Sequence, residues 1–392
     1  MTANLISPEL AKQVHRSLLE RQPGIEDFIR RLVEIESPSG NESGSRRVVE
    51  ELCRVASELV CVTSINCVDV PNFGQHVVIE AFGHKGSEGQ VLLVGHTDTV
   101  HELGTLALQP WRREENRLHG PGTFDMKANC VMAIEVLRTL DLLKTEPRVA
   151  VTIVLTCDEE VGSQGGWPLI ERVAKERQTH CALVMEPPAP GGKVKTGRKG
   201  TGMYSIKVEG KAAHAGLEPE KGASAILELA RQTERLHAIN QSGSGISLNV
   251  GVFSGGTRSN VVAAEAEAEI DVRFSTEDEW QVLDHLFNSI QPIDERTKVF
   301  VSGGLNRPPL ERTQAVAELF MTARAVAAMV DFDLGEAQVG GASDGNFLAA
   351  LGIPVLDGLG ISGDGAHAAH EHIIADDISV RGTIITGLVL SV

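Results

Sequence analysis

The chain has 392 residues, of which 42% are hydrophobic, and a formal net charge of −17. This length suits two domains better than a single core, and the apolar content excludes global disorder. The acidic balance argues against nucleic acid and anionic membrane as partners, whereas a local cluster of Arg and Lys could still bind an anionic substrate.

The first 22 residues have the pattern of an amphipathic helix with scattered charge. They lack the succession of basic, apolar and small residues that forms a signal peptide. No apolar stretch is long and uncharged enough to span a membrane, so we expect a cytoplasmic protein. The cysteines form no CxxC pair, and we expect reduced, buried thiols, with neither a disulfide framework nor a cysteine zinc site. They are Cys53, Cys61, Cys67, Cys130, Cys157 and Cys181.

Short apolar runs alternate with helical patterns in the first half of the chain. The runs QVLLVG, VAVTIVL and CALVM predict strands, while MKANCVMAIEVLRTLDLL and WPLIERVAKER have helical spacing. Continuous apolar strands indicate a sheet covered on both faces. We therefore predict an α/β domain with a mixed, mostly parallel sheet between helices.

Residues 200–309 have a different pattern. The strand MYSIKVEG, a helix, the strands SLNVGVFSGG and AEAEAEIDVRF joined by a turn, a second helix and the strand KVFVSG follow one another. This βαββαβ order predicts a complete α+β, ferredoxin-like unit. The first pattern then resumes, so we predict a domain of residues 1–199 and 310–392, interrupted by an inserted domain of residues 200–309.

Acidic and imidazole side chains follow several predicted strands, where sites form in open α/β sheets. Each residue alone has a simpler explanation: a loop hydrogen bond, a helix cap for Asp125 or a solvated ring for His367. Together they form a ligand set suited to zinc, or less specifically to cobalt or manganese. Two cations would also explain the adjacent acids of TCDEE. The residues are His96, Asp98, Asp125, Glu159, Glu160, Glu186 and His367.

From about residue 25 to its end, the chain resembles the di-zinc exopeptidase and aminoacylase superfamily. The motifs are GHTDTV, GPGTFDMK, TCDEEVGS, VMEP, GKAAHAG, SNVV and AHAAHE. The superfamily includes acetylornithine deacetylase, succinyl-diaminopimelate desuccinylase, aminoacylase and carboxypeptidase. The segments GKAAHAG, RSNVV, DVRF and NRPP are most similar to the bacterial glutamate carboxypeptidase type.

The resemblance implies two Zn²⁺ per subunit, with Co²⁺ or Mn²⁺ as other candidates. Asp125 would bridge the ions, His96 and Glu186 would complete one site, and Glu160 and His367 the other. Glu159 would act as catalytic base on a metal-bridging water. Asp98, two residues after His96, is expected to accept the other ring N–H of that histidine.

Met126 departs from the family pattern, which usually has Asp or Asn directly after the bridging Asp. The peptide bond at this position is commonly cis in the family, and the resemblance predicts a cis Asp125–Met126 bond here.

On the substrate side, the resemblance implies that His214 donates to the scissile carbonyl oxygen, often from the partner subunit of a homodimer formed through the inserted lid domain. Asn260 and Arg273 match positions that hold a free α-carboxylate. Lys193 and Arg307 lie near positions that bind an acidic side chain. Lys195, Arg198 and Lys199 are alternatives, and any of these cations could instead belong to a solvated face.

The resulting hypothesis is a metallo-carboxypeptidase that hydrolyses the amide bond next to a C-terminal amino acid with a free carboxylate. It would release glutamate from an N-acyl amino acid, a peptide or a folate-like conjugate. The alternatives are an N-acyl amino acid deacylase and a dipeptidase. A binding protein that has lost catalysis is disfavoured, because every expected ligand and the base are present.

Overall fold

A computed structural model describes residues 5–241, 243 and 245–392 of the chain. The chain divides into two compact units. Unit 1 consists of the residues up to Gly197 together with Arg312–Val339 and Ser343–Val392, and unit 2 consists of Arg198–Glu311 and Gly340–Ala342.

The elements of the chain up to unit 2 are α1 (Pro8–Val33), α2 (Glu42–Ala56), β1 (Val62–Val70), β2 (Gly74–Ala81), β3 (Gln90–His96), α3 (Thr105–Leu108), β4 (Arg112–Glu114), β5 (Arg117–His119), α4 (Ala128–Leu143), β6 (Ala150–Thr156), α5 (Gly166–Glu176), β7 (Thr179–Val184) and β8 (Val194–Arg198). After unit 2 follow α8 (Gln314–Ala328), β13 (Glu336–Val339), α9 (Gly345–Ala350), β14 (Val355–Leu356), β15 (Gly363–Asp364), β16 (His372–Ile374) and α10 (Asp377–Ser391).

The main sheet of unit 1 has the strand order β1-β2-β6-β3-β7-β14. Strands β6, β3, β7 and β14 are parallel to one another, whereas β1 and β2 are antiparallel to their neighbours. Strands β3 and β6 are buried along their whole length, as their unbroken Val and Leu content predicts. The predicted α/β class and its mixed sheet are confirmed.

Unit 2 contains β9 (Gly200–Glu209), α6 (Ala225–His237), β10 (Ser247–Gly255), β11 (Glu265–Phe274), α7 (Glu277–Asn288) and β12 (Lys298–Arg307). Its sheet has the order β10-β11-β9-β12, and β9 is antiparallel to both β11 and β12. The predicted βαββαβ unit is confirmed, because this order is that of a ferredoxin-like sheet. Alanines of β11 face the core and its glutamates are exposed, so strict alternation outweighs their helix propensity.

Three details differ from the expectations. Residues 256–264 connect β10 to β11, so the two strands are not joined by a tight turn. The prediction of buried cysteines is wrong for Cys67, which is exposed on β1 and whose Sγ lies 3.6 Å from that of half-buried Cys53. The small sheet β15-β16-β5-β4 was not anticipated, since its strands are two or three residues long.

Within the described residues, no helix combines the length and apolar character needed to cross a bilayer.

One buried carboxylate in unit 2 gives a stability prediction. Glu228 on α6 is 1% exposed, and its two oxygens accept the backbone N–H groups of Ile293 and Asp294 at 2.8 and 2.9 Å. In Glu228→Gln one of these oxygens becomes an amide donor, so one buried N–H is left facing a donor. We expect the free energy of unfolding to fall by about 1–3 kcal/mol in urea titrations. Exposed Glu234→Gln on the same helix is the control, expected to stay within about 0.5 kcal/mol of wild type. Equal stability of the two variants would contradict this account.

Candidate metal centre

The parallel strands bring the predicted ligands of unit 1 to one edge of the main sheet. His96 is the last residue of β3, Glu160 lies in the turn after β6, and Glu186 follows β7. Asp125 lies in the turn before α4, and His367 lies on the loop between β15 and β16. Because the carboxyl ends of parallel strands meet at one edge, residues separated by up to 271 positions come together.

The donor atoms form two groups that share one aspartate. His96 Nε2 lies 3.2 Å from Asp125 Oδ1 and 3.4 Å from Glu186 Oε1. His367 Nε2 lies 3.4 Å from Asp125 Oδ2 and 3.3 Å from Glu160 Oε2. Each carboxylate oxygen of Asp125 therefore faces a different imidazole, in the arrangement of a bridging ligand.

The donor set fits a pair of zinc-like ions. Two ligands about 2.0–2.1 Å from one tetrahedral ion are separated by about 3.3 Å. The four separations at this site lie between 3.2 and 3.4 Å, at or above the upper end of the usual N–H···O range. Glu160 Oε1 is in addition buried with no hydrogen-bond partner among the described residues, although a carboxylate oxygen in such a place needs a donor or a cation.

The electrostatics of the site also favour bound cations. Burial raises the pKa of Glu160 to about 7, and the charge of Asp125 adds to this effect. A hydrogen bond to Asp125 raises the pKa of His367 to about 9, against the effect of its partial burial. Without cations, burial and the charge of Asp125 thus disfavour the ionised form of Glu160. Bound cations would stabilise the ionised carboxylates.

The turn that carries Asp125 does not support the simpler explanation of a helix cap. Helix α4 begins at Ala128, and its N-cap position is Lys127, with no side-chain hydrogen bond to the helix end. The Asp125–Met126 peptide bond is cis, as the resemblance predicted. Asp125 therefore directs its carboxylate to the two imidazoles and not to the helix.

Asp98 supports the site differently from the expectation. The acceptor nearest to His96 Nδ1 is the backbone carbonyl of Asp98 at 3.0 Å, and the carboxylate Oδ1 is farther away at 3.4 Å. The carboxylate instead accepts the backbone N–H groups of Glu159 and Glu160, both at 3.2 Å, and the hydroxyl of Ser39 at 2.6 Å. These three donors hold the carboxylate of Asp98 beneath the turn that follows β6.

The three adjacent acids have different surroundings. Asp158 is fully buried and accepts the N–H groups of Gly165 and Gly166 at the start of α5, the shorter distance being 2.6 Å. Glu160 belongs to the group with Asp125 and His367, whereas Glu159 belongs to neither donor group. The acidic run is therefore not a solvated loop, since one acid supports a helix and another faces the candidate metal site.

Two predicted substrate residues of unit 2 lie on paired segments. His214 is exposed, forms a bridge with Val261, and its Nδ1 accepts the N–H of Gly216 at 3.2 Å. The carbonyl of exposed Asn260 accepts the N–H of Ala215 at 3.0 Å. The backbone thus holds His214 and Asn260 close together within unit 2.

Two predicted arginines lie on either side of the central strand of unit 2. Arg273 on β11 and Arg307 on β12 are both register partners of Thr201 on β9. Neighbouring strands are about 4.8 Å apart, so the two main-chain positions lie about 10 Å from each other. The guanidinium of Arg273 donates to both carboxylate oxygens of Asp271 at 2.8 and 2.9 Å, and Arg307 is buried.

The remaining cations differ in exposure. Lys193 is exposed in unit 1, in a turn where its N–H donates to the carbonyl of Ala189, while Lys195 is buried. In unit 2, Arg198 donates to the carbonyl of Gly341, and Lys199 donates to the carbonyl of Gly245 at 2.5 Å. Arg198 and Lys199 are thus engaged by backbone carbonyls within their own unit.

Sequence reasoning missed the residues that support the ligands. Ser39 and Glu371 bind side-chain or backbone atoms of the ligand-bearing loops. In the sequence, Glu371 is the only acid of AHAAHE, and Ser39 is one serine of a polar loop. Neither has a spacing that distinguishes it from a surface residue.

Comparison with known proteins identifies the family. The family model described as Peptidase family M20/M25/M40 matches residues 92–391. Carboxypeptidase G2 of a Pseudomonas species is 28% identical over 365 residues, which are 89% of this chain and 84% of that protein. Succinyl-diaminopimelate desuccinylase of Stutzerimonas stutzeri is 26% identical over 357 residues, which are 83% of this chain and 87% of that protein.

A solved structure from Bacillus subtilis, described as a dinuclear metal binding peptidase from the M20 family, has the same fold. Its TM-score is 0.68 at 15% identity, and the match covers 97% of this chain and 98% of that one. Because the family model matches well over half of the chain, the protein belongs to peptidase family M20/M25/M40 and is a metallohydrolase of that family.

Proposed function

We propose that this enzyme uses two zinc ions to hydrolyse the amide bond next to a C-terminal amino acid with a free carboxylate, and that the residue released is glutamate. The observation that carries the proposal is the pair of donor groups that share Asp125. Carboxylates and imidazoles suit zinc, while cobalt and manganese accept the same donors. The similarity to carboxypeptidase G2 supports the choice of a carboxypeptidase.

The residues of the chain have distinct roles in this proposal. His96 and Glu186 would hold one ion, Glu160 and His367 the other, and Asp125 both. When bound, two ions would lower the pKa of water and polarise the scissile carbonyl. Glu159 takes the proton of the attacking water and passes it to the leaving amine. Asp98 keeps Glu159 in place by accepting its backbone N–H.

Recognition of the substrate is assigned to unit 2 and to Lys193. His214 donates a hydrogen bond to the scissile carbonyl oxygen, in a homodimer formed through the inserted domain. Asn260 and Arg273 bind the free α-carboxylate, which would take the place of the Asp271 carboxylate on the Arg273 guanidinium. Arg307 and Lys193 bind the acidic side chain of the leaving residue. Arg273 and Arg307 are both register partners of Thr201, which supports the proposal that each binds one carboxylate of the leaving residue.

A second candidate is the deacylation of another N-acyl amino acid. The similarity to succinyl-diaminopimelate desuccinylase favours it, and the donor groups of unit 1 would serve both reactions equally. A dipeptidase is a third candidate, because a dipeptide also ends in a free carboxylate. These candidates differ in the acyl side and in the leaving residue, so a substrate series separates them.

The test is a matched series of N-acyl amino acids with a fixed acyl group and Glu, Asp, Ala, Leu, Lys or ornithine as the leaving residue. We expect kcat/KM of the zinc-loaded enzyme to be at least tenfold higher for Glu or Asp, a difference of roughly 1.4 kcal/mol. The physical reason is that the guanidinium groups of Arg273 and Arg307 would each bind one of the two carboxylates of such a leaving residue. The readout is amine release measured in initial-rate assays.

The series also has outcomes that contradict the proposal. A preference for neutral or basic residues would remove the proposed roles of Arg307 and Lys193 and favour a deacylase. Cleavage of unblocked dipeptides in preference to all N-acylated substrates would favour a dipeptidase. Hydrolysis of none of these compounds by enzyme loaded with zinc, cobalt or manganese would exclude the proposed activity.

A further inference from the structure

Glu371 is a buried acid for which the proposed reaction has no role. It is 2% exposed and lies four residues after His367, at the end of the same loop. Its Oε1 accepts the backbone N–H groups of Phe124 and Asp125 at 2.8 and 2.9 Å. Its Oε2 accepts the N–H of Gly122 at 2.8 Å and lies 2.6 Å from His101 Nε2.

These contacts use the full acceptor capacity of the carboxylate. Each oxygen has two lone pairs, and each has two neighbouring donors once the His101 proton is placed on Nε2. Gly122 has φ +70°, and a Cβ there would lie 2.5 Å from Thr99 Cγ2. Glycine at this position therefore allows a turn whose N–H groups converge on the two carboxylate oxygens of Glu371.

The carboxylate joins three of the five segments that carry candidate ligands. His101 lies on the segment that follows His96 at the end of β3. Gly122 and Asp125 belong to the turn before α4. Glu371 itself lies four residues after His367. The backbone nitrogen of the shared ligand is one of the four donors. A shift of Glu371 would thus move Asp125 relative to both imidazoles that face it.

We propose that Glu371 is a positioning residue that holds the backbone of Asp125 in the orientation in which its two oxygens serve both metal ions. The inference rests on the two-metal centre of the proposed function, although it is independent of the substrate. Residues that orient metal ligands typically change metal affinity by 10–100-fold when they are replaced. Since Asp125 is shared, the loss is expected for both ions.

The test compares Glu371→Gln with Glu371→Asp and with Glu102→Gln. Gln has nearly the same volume as Glu, but its NH₂ group would face either the N–H groups of Phe124 and Asp125 or those of Gly122 and His101. Asp keeps two acceptor oxygens on a shorter side chain. Glu102 is exposed beside His101, so Glu102→Gln makes the same change of charge near the site without disturbing the turn.

The measurements are Zn²⁺ affinity by competition with a chromophoric chelator, the visible absorption spectrum of the Co²⁺-loaded protein, and the melting temperature of the metal-free protein. For Glu371→Gln we expect both affinities to fall about 10–100-fold and the Co²⁺ spectrum to change. Glu371→Asp should lie between Gln and wild type, and Glu102→Gln should match wild type. With the best substrate, kcat should fall more than KM rises.

Three results would overturn the inference, and a fourth would contradict only the proposed function. One is a folded Glu371→Gln protein that binds two ions with the affinity and Co²⁺ spectrum of wild type. Another is a lower melting temperature in both Glu371 variants with no loss of Zn²⁺ affinity in either, which would show a structural role only. A wild-type protein that binds two ions but cleaves no substrate would contradict the proposed function and leave the affinity comparison in force. A wild type that binds no ion pair would overturn both.

Discussion

Replacing Glu159 with Gln is expected to lower kcat by about 10²–10⁴-fold, the usual contribution of a positioned general base. The amide cannot take a proton from water, whereas its size and its backbone contact with Asp98 are unchanged. Because Glu159 belongs to neither donor group, the variant should still bind two ions with wild-type affinity. The measurements are steady-state kinetics and zinc content by elemental analysis.

The neighbouring acid is the matched control for this prediction. Glu160→Gln makes the same chemical change one residue later, in a carboxylate that faces His367 at 3.3 Å. It should lower the occupancy of one ion, and excess zinc should restore part of its activity. If Glu159→Gln loses metal while Glu160→Gln keeps it, the roles of the two acids are exchanged. Near wild-type activity of Glu159→Gln would exclude it as the base.

Most of the fold was predictable because its strands are of two clearly different kinds. Strands β3, β6 and β7 are short Val- and Leu-rich runs, which indicate a sheet covered on both faces. Strand β11 alternates strictly, which indicates one covered face. The hairpin β1–β2 was not predicted, because β1 is exposed or half-buried along its length and has no continuous apolar face.

The types of residue at the candidate site were predictable from the sequence, whereas the residues that hold the candidate ligands in place were not. Periodicity places His96 and Glu186 at strand ends, and ligand chemistry then suggests a metal. The separate roles proposed for Glu159 and Glu160 come from family resemblance, since the distance from a strand end does not distinguish two adjacent acids. The contacts of Glu371 join positions almost 250 residues apart, and no local pattern encodes them.

The shared ligand gives the second large effect. Asp125→Asn replaces one carboxylate oxygen by an amide NH₂ group, so the residue can no longer offer an oxygen to each donor group. We expect the variant to bind at most one ion and to lose on the order of 10³-fold or more in kcat, because both ions are assigned to the reaction. Bound metal stabilises the folded protein by about 2.7 kcal/mol per site at one hundred times the dissociation constant. The zinc-dependent rise in melting temperature should therefore shrink, as measured by calorimetry with and without zinc.

Glu186→Gln is the matched control for Asp125→Asn. It removes a carboxylate that is assigned to one ion, whereas Asp125→Asn changes the carboxylate that is shared by both ions. Glu186 belongs to the donor group of His96 and not to that of His367, so the variant should keep the ion held by Asp125, Glu160 and His367. Its zinc titration should retain one site of nearly wild-type affinity, whereas Asp125→Asn should bind at most one ion, and more weakly than wild type does. Identical titrations of the two variants would show that Asp125 serves a single ion. A difference between them would instead make Asp125 the residue on which the pair of ions depends, because it alone offers an oxygen to each donor group among the described residues.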